Sequence, residues 1–334
     1  MNTLTLNGWM EQGGNRLSIP EIERLLKDRP DELSQCGGEF FLSWDSCSAR
    51  DLYGIMEGTG PKGTILCNGK ANRTIAPTAP EMTLEDAIVT AVRLRSDEGI
   101  VALSGGVDSA LVAALARREC VAIGLEGSHD LKRAKIAADM LGLACTFVTI
   151  REEEIAAALP VVVATITEKN PVNAGIALTQ FFIARWAGEH GYQRIITGQG
   201  ADELFGGYTR YLKTDTLEED LLRDFAGLEA QARRDQAVAA LHGTYLSMPY
   251  LDFRVVRAAQ AIPAAEKVQG GRRKVPLRKV AERYIPPDLA GYEKKAMQYG
   301  SGVWATLRKL ARKNGYKTSM QDYIDQIIRV EHGH

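Results

Sequence analysis

Seven consecutive residues, Leu103-Ser104-Gly105-Gly106-Val107-Asp108-Ser109, have the types and order that let a backbone hold a polyanion. They follow the apolar run Ile100-Val101-Ala102 and open a helical run from Ala110 to Arg118. Two adjacent glycines let the chain pass close to an anion, and the helix start that follows offers free N–H groups and partial positive charge. Ser104 and Ser109 add hydroxyls. Asp108 suits an anion loop when a Mg²⁺ stands between its carboxylate and the phosphates. The plainer reading is a Ser-Gly-Gly turn capping a helix, but the strand before and the helix after favour a phosphate site. No Gly-Lys-Ser/Thr follows and no GxGxxG is present, which excludes a Walker loop and a dinucleotide fingerprint.

Such a loop needs a strand and a helix to position it, and the sequence supplies both repeatedly. From Leu84 onward apolar residues recur at helical spacing (Leu84, Ala87, Ile88, Ala91, Val92, Leu94). Strands are expected at 99–103, 120–125, 146–150 and 194–197, with helices at 110–118, 131–141, 155–166 and 176–190 between them. This alternation predicts an α/β fold, a parallel sheet with helices on both faces. Beyond Thr209 the chain reads as helical to its end. Residues 1–80 differ in texture. Glu39–Trp44 and Thr64–Cys67 read as strands between Gly turns, and 21–26 reads as a short helix opened by Ser18 and Pro20. A linker at Ala76–Pro80 then separates a small β-rich domain, 1–80, from the domain 81–334.

Composition narrows the function classes. The 334 residues carry 41 Lys/Arg and 42 Asp/Glu, a net charge of −1, so no bulk field attracts nucleic acid or an anionic membrane. No apolar run approaches the roughly 20 residues of a membrane span. Met1 to Arg16 lacks a basic start followed by an apolar segment, so no signal peptide is expected and the chain reads as cytoplasmic. The five cysteines (Cys36, Cys47, Cys67, Cys120, Cys145) are odd in number and widely spaced, which predicts reduced thiols and neither a disulfide framework nor a zinc site.

The loop at Leu103–Ser109 resembles the signature of the PP-loop ATP pyrophosphatases, and further blocks narrow the resemblance to the asparagine synthetase family. These are Thr197-Gly198-Gln199-Gly200-Ala201-Asp202-Glu203-Leu204-Phe205-Gly206-Gly207-Tyr208, Ile123-Gly124-Leu125-Glu126-Gly127-Ser128-His129-Asp130, Pro249-Tyr250-Leu251-Asp252, Lys274-Val275-Pro276-Leu277-Arg278 and Tyr284-Ile285-Pro286. They span about Leu84 to Val303. The resemblance implies that Asp108 and Asp202, each following a parallel strand, hold Mg²⁺ on the phosphates of ATP. Ser104, Gly105, Gly106 and Ser109 would cradle the departing pyrophosphate. The adenosine would meet Leu103, Ile123, Gly124, Leu125, Thr197 and Gly198. Lys294, with Lys295 as its rival, would stabilise charge on the α-phosphate, and Lys274 would add a pyrophosphate contact. Glu203 reads as a supporting residue. The segment Glu266–Lys295 agrees, with nine Lys/Arg against four Asp/Glu in a chain whose net charge is −1; most of these charges read as solvated surface, and Arg278 as structural.

Three departures from the family pattern limit what it implies. Glutamine-using members begin with a catalytic Cys after Met, whereas position 2 here is Asn2. The 1–80 region, with Cys36-Gly37-Gly38-Glu39, resembles only the latter part of a glutaminase domain. Cys36 therefore reads as a structural thiol, and ammonia or another amine as the direct nucleophile. Gln199 stands where asparagine synthetases carry Glu and β-lactam synthetases Tyr, and a neutral amide is no general base. In the acceptor-recognition stretch Asn173–Thr179, Ile176 takes an Arg position, and Ser247 replaces an Arg before Pro249, which puts aspartate in doubt. The expectation is an ATP-dependent, AMP-forming amide ligase that adenylates a small-molecule carboxylate. A separate glutaminase partner and a homodimer are compatible with it; membrane and nucleic-acid partners are not expected. The alternatives are adenylation of a different acceptor and a non-catalytic ATP-binding regulatory subunit.

Overall fold

The computed structural model describes residues 4–293 and 297–332. The chain forms two compact units, each assembled from three separate stretches. The first takes Met1–Asp97, Gly198–Arg233 and Ser247–Val280; the second takes Glu98–Thr197, Arg234–Leu246 and Ala281–His334.

The first unit opens with a six-stranded antiparallel sheet of order β2-β1-β3-β4-β5-β6. Its strands are β1 (Thr5–Gln12), β2 (Asn15–Arg16), β3 (Gly37–Trp44), β4 (Cys47–Arg50), β5 (Thr64–Cys67) and β6 (Lys70–Thr74). Helix α1 (Ile19–Asp28) starts where Ser18 and Glu21 form a capping box, the Ser18 amide donating to the Glu21 carboxylate at 2.8 Å. Its Ile22 and Leu25 pack with Met10, Leu33, Phe40, Leu42 and Ile65 in one apolar cluster. Cys36 belongs to this cluster, and burial pushes its thiol up to about 12, as a structural thiol requires.

The expectation of reduced thiols is corrected here. Cys47 and Cys67 face each other across the β4–β5 register and form a disulfide. Their separation of 20 residues carries no pairing signal in sequence. Antiparallel pairing is what brings them together. Cys36, Cys120 and Cys145 are free. Strands β1, β4 and β6 were also not read from sequence. β1 is interrupted by Asn7 and Gly8, and β6 is exposed along its whole length, so neither shows a buried alternation.

After an irregular stretch, Thr83 caps α2 (Leu84–Arg93), its hydroxyl accepting from the Asp86 amide at 3.1 Å. The second unit then follows the expected alternation: β7 (Ile100–Ala102), α3 (Val107–Ala116), β8 (Cys120–Leu125), α4 (His129–Leu141), β9 (Cys145–Ile150), α5 (Glu152–Thr165), α6 (Pro171–Glu189) and β10 (Arg194–Ile196). β10, β7, β8 and β9 pair parallel in that order. β7, β8 and β10 are buried almost throughout, which is why they read as unbroken apolar runs. Later come α7 (Ala201–Phe205), α8 (Leu217–Ala226), α9 (Leu228–Ala240), β11 (Tyr245–Ser247) and α10 (Phe253–Gln260). β11 adds to the sheet edge beside β10, correcting the expectation that strands end before Thr209. At three residues it is too short to show a period. Helices at Val303–Lys313 and Met320–His332 close the chain. Among the described residues no helix is long and apolar enough to cross a membrane.

Within the first unit a buried charge network fastens sheet to helices. Glu39 of β3, fully buried, accepts from Trp9 Nε1 (2.9 Å), Arg95 Nε (2.8 Å), the Met248 amide (2.7 Å) and the Ser247 hydroxyl. Arg95 also donates to Asp252 at 3.0 Å, and Arg254 reaches Glu11 at 2.8 Å. Ser247 therefore serves the interior of this unit.

Candidate active site

In the second unit, the predicted phosphate loop leaves β7 and enters α3 as expected. Gly105 adopts φ +74°, and a Cβ there would lie 2.5 Å from the carbonyl carbon of Arg133 and 2.6 Å from its oxygen. Only glycine meets both demands. Gly106 is the N-cap of α3 in extended conformation and has no side chain to satisfy the first-turn amides. Those amides are the donors an anion uses. The Ser104 and Ser109 hydroxyls lie 2.9 Å apart, and the Ser104 amide donates to Ser109 Oγ at 3.2 Å, so the loop is closed on itself. Asp108 lies in the first turn of α3, half-buried.

Two further groups of predicted residues share this sheet edge. Leu103 follows β7, Ile123–Leu125 end β8 and Thr197 follows β10, and these are three adjacent parallel strands. The C-terminal edge of such a sheet is where open α/β folds take ligands. The Leu103 amide is already bonded to Val121 O at 2.9 Å, which leaves its carbonyl as the backbone group for a ligand. The Leu125 amide is likewise taken by Ser301 O at 2.9 Å. Gly124 is closely approached by the Ser128 hydroxyl, where a Cβ would overlap it. At the start of α4, Tyr292 is hydrogen-bonded to His129 Nε2 at 2.7 Å and lies under the Arg133 guanidinium at 3.5 Å.

The first unit holds the block after β10. Gly200 turns the chain at φ +87°, and a Cβ there would meet Leu251 at 2.8 Å. Asp202, in α7, pairs with Lys274 at 2.7 Å; the lysine is nearly buried at 8% exposure and the aspartate is 43% exposed. Lys274 itself sits at φ +58°, a strained value for a non-glycine residue. A Cβ at Gly207 would overlap both Asp202 Oδ1 and Lys274 Cε, so this glycine makes room for the pair. Glu203 is buried, accepting from Tyr208 OH and from Gln231 Nε2 at 3.1 Å; burial, then the charge of Asp202, pushes its pKa up. Gly198 and Gln199 are half-buried. Arg278 donates to the Arg273 carbonyl at 2.8 Å, the structural role expected. Lys294 and Lys295 lie outside the described residues.

Lys274 and Asp202, read separately from sequence as pyrophosphate contact and metal ligand, thus face each other. The Asp202–Lys274 link spans 72 positions, and the sequence offers no signal for it. The Tyr208 and Gln231 contacts on Glu203 were likewise missed. Mg²⁺ takes one or two carboxylates, completing its shell with waters and phosphates. Asp108 in the second unit and Asp202 in the first each carry one such carboxylate, and among the described residues no group of three His, Cys, Asp or Glu forms a closed metal cage.

Comparison with known proteins adds the lineage. The asparagine synthase family model matches residues 83–237 and 214–327. The chain belongs to the asparagine synthase family. A putative glutamine-hydrolysing asparagine synthetase of Methanocaldococcus jannaschii is 31% identical over 294 residues, covering 75% of this chain and 54% of the relative. The carboxyethyl-arginine β-lactam synthase of Streptomyces clavuligerus is 29% identical over 247 residues, covering 72% and 47%. Asparagine synthetase B of Escherichia coli is 27% identical over 256 residues, covering 68% and 46%. The chain spans about half the length of the curated relatives it matches.

Proposed function

We propose that this chain is an ATP-dependent, AMP-forming amide ligase that adenylates a small-molecule carboxylate and passes the acyl group to ammonia or another amine. The observation that carries this is the loop Ser104–Ser109, closed by its two serines and ending on the uncapped start of α3. It supports binding of a linear polyphosphate by backbone amides. Family membership supports the reaction class.

In this reading Ser104, Gly105, Gly106 and Ser109 hold the β- and γ-phosphates, and Leu103, Ile123, Gly124, Leu125, Thr197 and Gly198 receive the adenosine. Asp108 and Asp202 would hold Mg²⁺, which when bound would neutralise phosphate charge. The acceptor carboxylate oxygen attacks the α-phosphorus, forming an acyl–phosphate bond while the bond to pyrophosphate breaks. The amine nitrogen then bonds to the acyl carbon, and AMP leaves with the electron pair of the broken C–O bond, its phosphate oxygen taking the proton that the nitrogen sheds. Holding both partners in place supplies the orientation. Lys294 stabilises the charge on phosphate, and Lys274 acts through its pairing with Asp202. Gln199 faces the nucleophile and orients it; as a neutral amide it takes no proton. Cys36 supplies no nucleophile, since burial keeps its thiol protonated.

The test is pyrophosphate release from ATP and Mg²⁺ across a panel of acids, with and without ammonia. Acid-dependent release with amide product is expected. ATP binding without release on any acid would establish the regulatory-subunit reading instead.

A further inference from the structure

The first unit holds an open cavity of about 460 Å³ that no step of the proposed reaction uses. Leu52 and Tyr53 after β4, residues 75–77 after β6, and one face of α10 wall it. Each wall is fixed by local chemistry. The buried Asp51 carboxylate accepts the Tyr53 amide at 3.1 Å and sets the first turn. The Ile75 amide donates to Gly63 O at 2.8 Å, and the Ala76 amide to Ser34 O at 2.6 Å. Asp252 caps α10 by accepting the Arg254 amide at 3.1 Å. A cavity of this volume falls in the range that takes small organic ligands.

Phe253, Arg257 and Gln260 are spaced four and three residues apart on α10, so they share the face that lines the cavity. Phe253 is buried, whereas Arg257 and Gln260 are exposed. With Leu52, Ile75 and Pro77, Phe253 makes the walls largely apolar. Among the described residues that line it, Arg257 is the one charged group. Its Nη1 donates to the Ala79 carbonyl at 3.3 Å, which anchors the guanidinium at the chain leaving the 75–77 wall. Among the described residues Arg257 has no carboxylate partner, so the rest of its fork of N–H donors is open to a ligand. The guanidinium stands 5.8 Å from the centre of the Phe253 ring, beside the apolar wall. The Tyr53 hydroxyl and the Gln260 amide likewise have no hydrogen-bond partner among the described residues. Burial, then the charge of Asp252, pushes the Tyr53 phenol up and keeps it a protonated donor.

A single guanidinium at the rim of apolar walls selects the ligand's chemistry. Its fork matches a planar carboxylate. A polyphosphate would bring several charges against one cation, and an ammonium would be repelled. We propose that this cavity is a binding site for a small monocarboxylate with an apolar body, the carboxylate on Arg257 and the body against Phe253, Ile75 and Pro77. Gln260 and Tyr53 serve the polar end. The inference does not rest on the ligase reading, since the cavity belongs to the first unit and the phosphate loop to the second.

The experiment titrates the full chain by calorimetry with 4-phenylbutanoate, octanoate, acetate and the neutral 4-phenylbutanamide. The variants Arg257→Gln and Gln260→Glu are titrated beside it. Both positions are exposed, so melting temperatures within about 2 °C of the unsubstituted chain are expected. One saturable site is expected for the two long-bodied acids, with acetate and the amide at least about tenfold weaker. Each variant should weaken the acids by at least about tenfold, the first by removing the cation and the second by adding a like charge. Binding of the amide should change by less than about twofold in Gln260→Glu, because it carries no charge to repel. Tighter binding of 4-phenylbutanoate than of octanoate assigns the body to a flat ring against Phe253, and the reverse order to an alkyl chain; both uphold the site. Acid affinity kept within about twofold in Arg257→Gln overturns the proposal, because the acid then sits elsewhere, the acceptor site of the ligase included. So does an amide that binds as tightly as its acid. Absence of saturable binding of either long-bodied acid up to about 10 mM overturns it as well.

Discussion

Gly207 shows how a single position shapes a charged pair without a side chain of its own. The Asp202–Lys274 pair exists because position 207 has no side chain. Gly207→Ala is expected to push the two charges apart, costing about 1–3 kcal/mol in overpacking and lowering pyrophosphate release. A urea midpoint and release rate equal to those of the unsubstituted chain would show that the pair has room to spare. Asp108→Asn is the complementary substitution, since it keeps volume and removes charge in the first turn of α3. Release should fall at least about 100-fold while the melting temperature stays within about 2 °C. Unchanged release would remove Asp108 from the Mg²⁺ assignment. The turn between β7 and α3 was legible in sequence because Ser104, Gly105, Gly106 and Ser109 lie within a few residues of one another. The partner of Lys274 was not, because it lies 72 positions away in the chain.

At the scale of elements, legibility followed burial. β8 and α4 were read nearly to the residue because a strand buried on both faces and a helix with an apolar stripe leave strong patterns. β1, β6 and β11 left none, being interrupted, exposed or too short. The turn after β4 has a consequence that can be measured. Asp51 is buried there and accepts the amides of Tyr53 (3.1 Å), Ile55 (2.9 Å) and Met56 (2.9 Å). Those bonds favour the carboxylate, but burial outweighs them and pushes its pKa from 3.8 to about 6. The folded state thus holds a proton that the unfolded chain releases. The stability from this group is full below pH 3.8 and is lost as pH rises through about 6. Asp51→Asn should flatten the stability profile across that window; a profile parallel to that of the parent would refute the assignment. On the neighbouring strands, the Cys47–Cys67 bridge closes a separation of 20 residues. Cys67→Ser is expected to lower stability by about 3 kcal/mol, measured by denaturation under non-reducing conditions. No difference between variant and parent would mean that the bridge constrains little.

For the whole molecule, the two units interleave along the chain, so a boundary seen in composition and a unit of folding are different things. The antiparallel sheet lies within residues 1–80, yet the unit that contains it runs to Asp97 and takes up 198–233 and 247–280. Glu39 shows why that matters: three of its four partners, Arg95, Ser247 and Met248, lie beyond residue 80. Without them the sheet would carry a buried carboxylate with only Trp9 to meet it. The sequence could not disclose this network, since it joins strands near the start of the chain to residues more than 200 positions later. Arg95 is its centre, bonded at once to Glu39, Asp252 and the Ala91 carbonyl. Arg95→Met keeps most of the volume and leaves Glu39 buried without its cation, while Asp252 keeps Arg254 at 3.1 Å. Removing one partner of a buried ion pair costs about 3–5 kcal/mol, because the charge left behind is uncompensated. Urea denaturation of the full chain should register a loss of that size, with the slope preserved if the unit still unfolds as one. Adding Glu39→Gln should recover part of it by removing the stranded charge. A loss under about 1 kcal/mol for Arg95→Met would mean that water reaches the network and that the sheet stands without it.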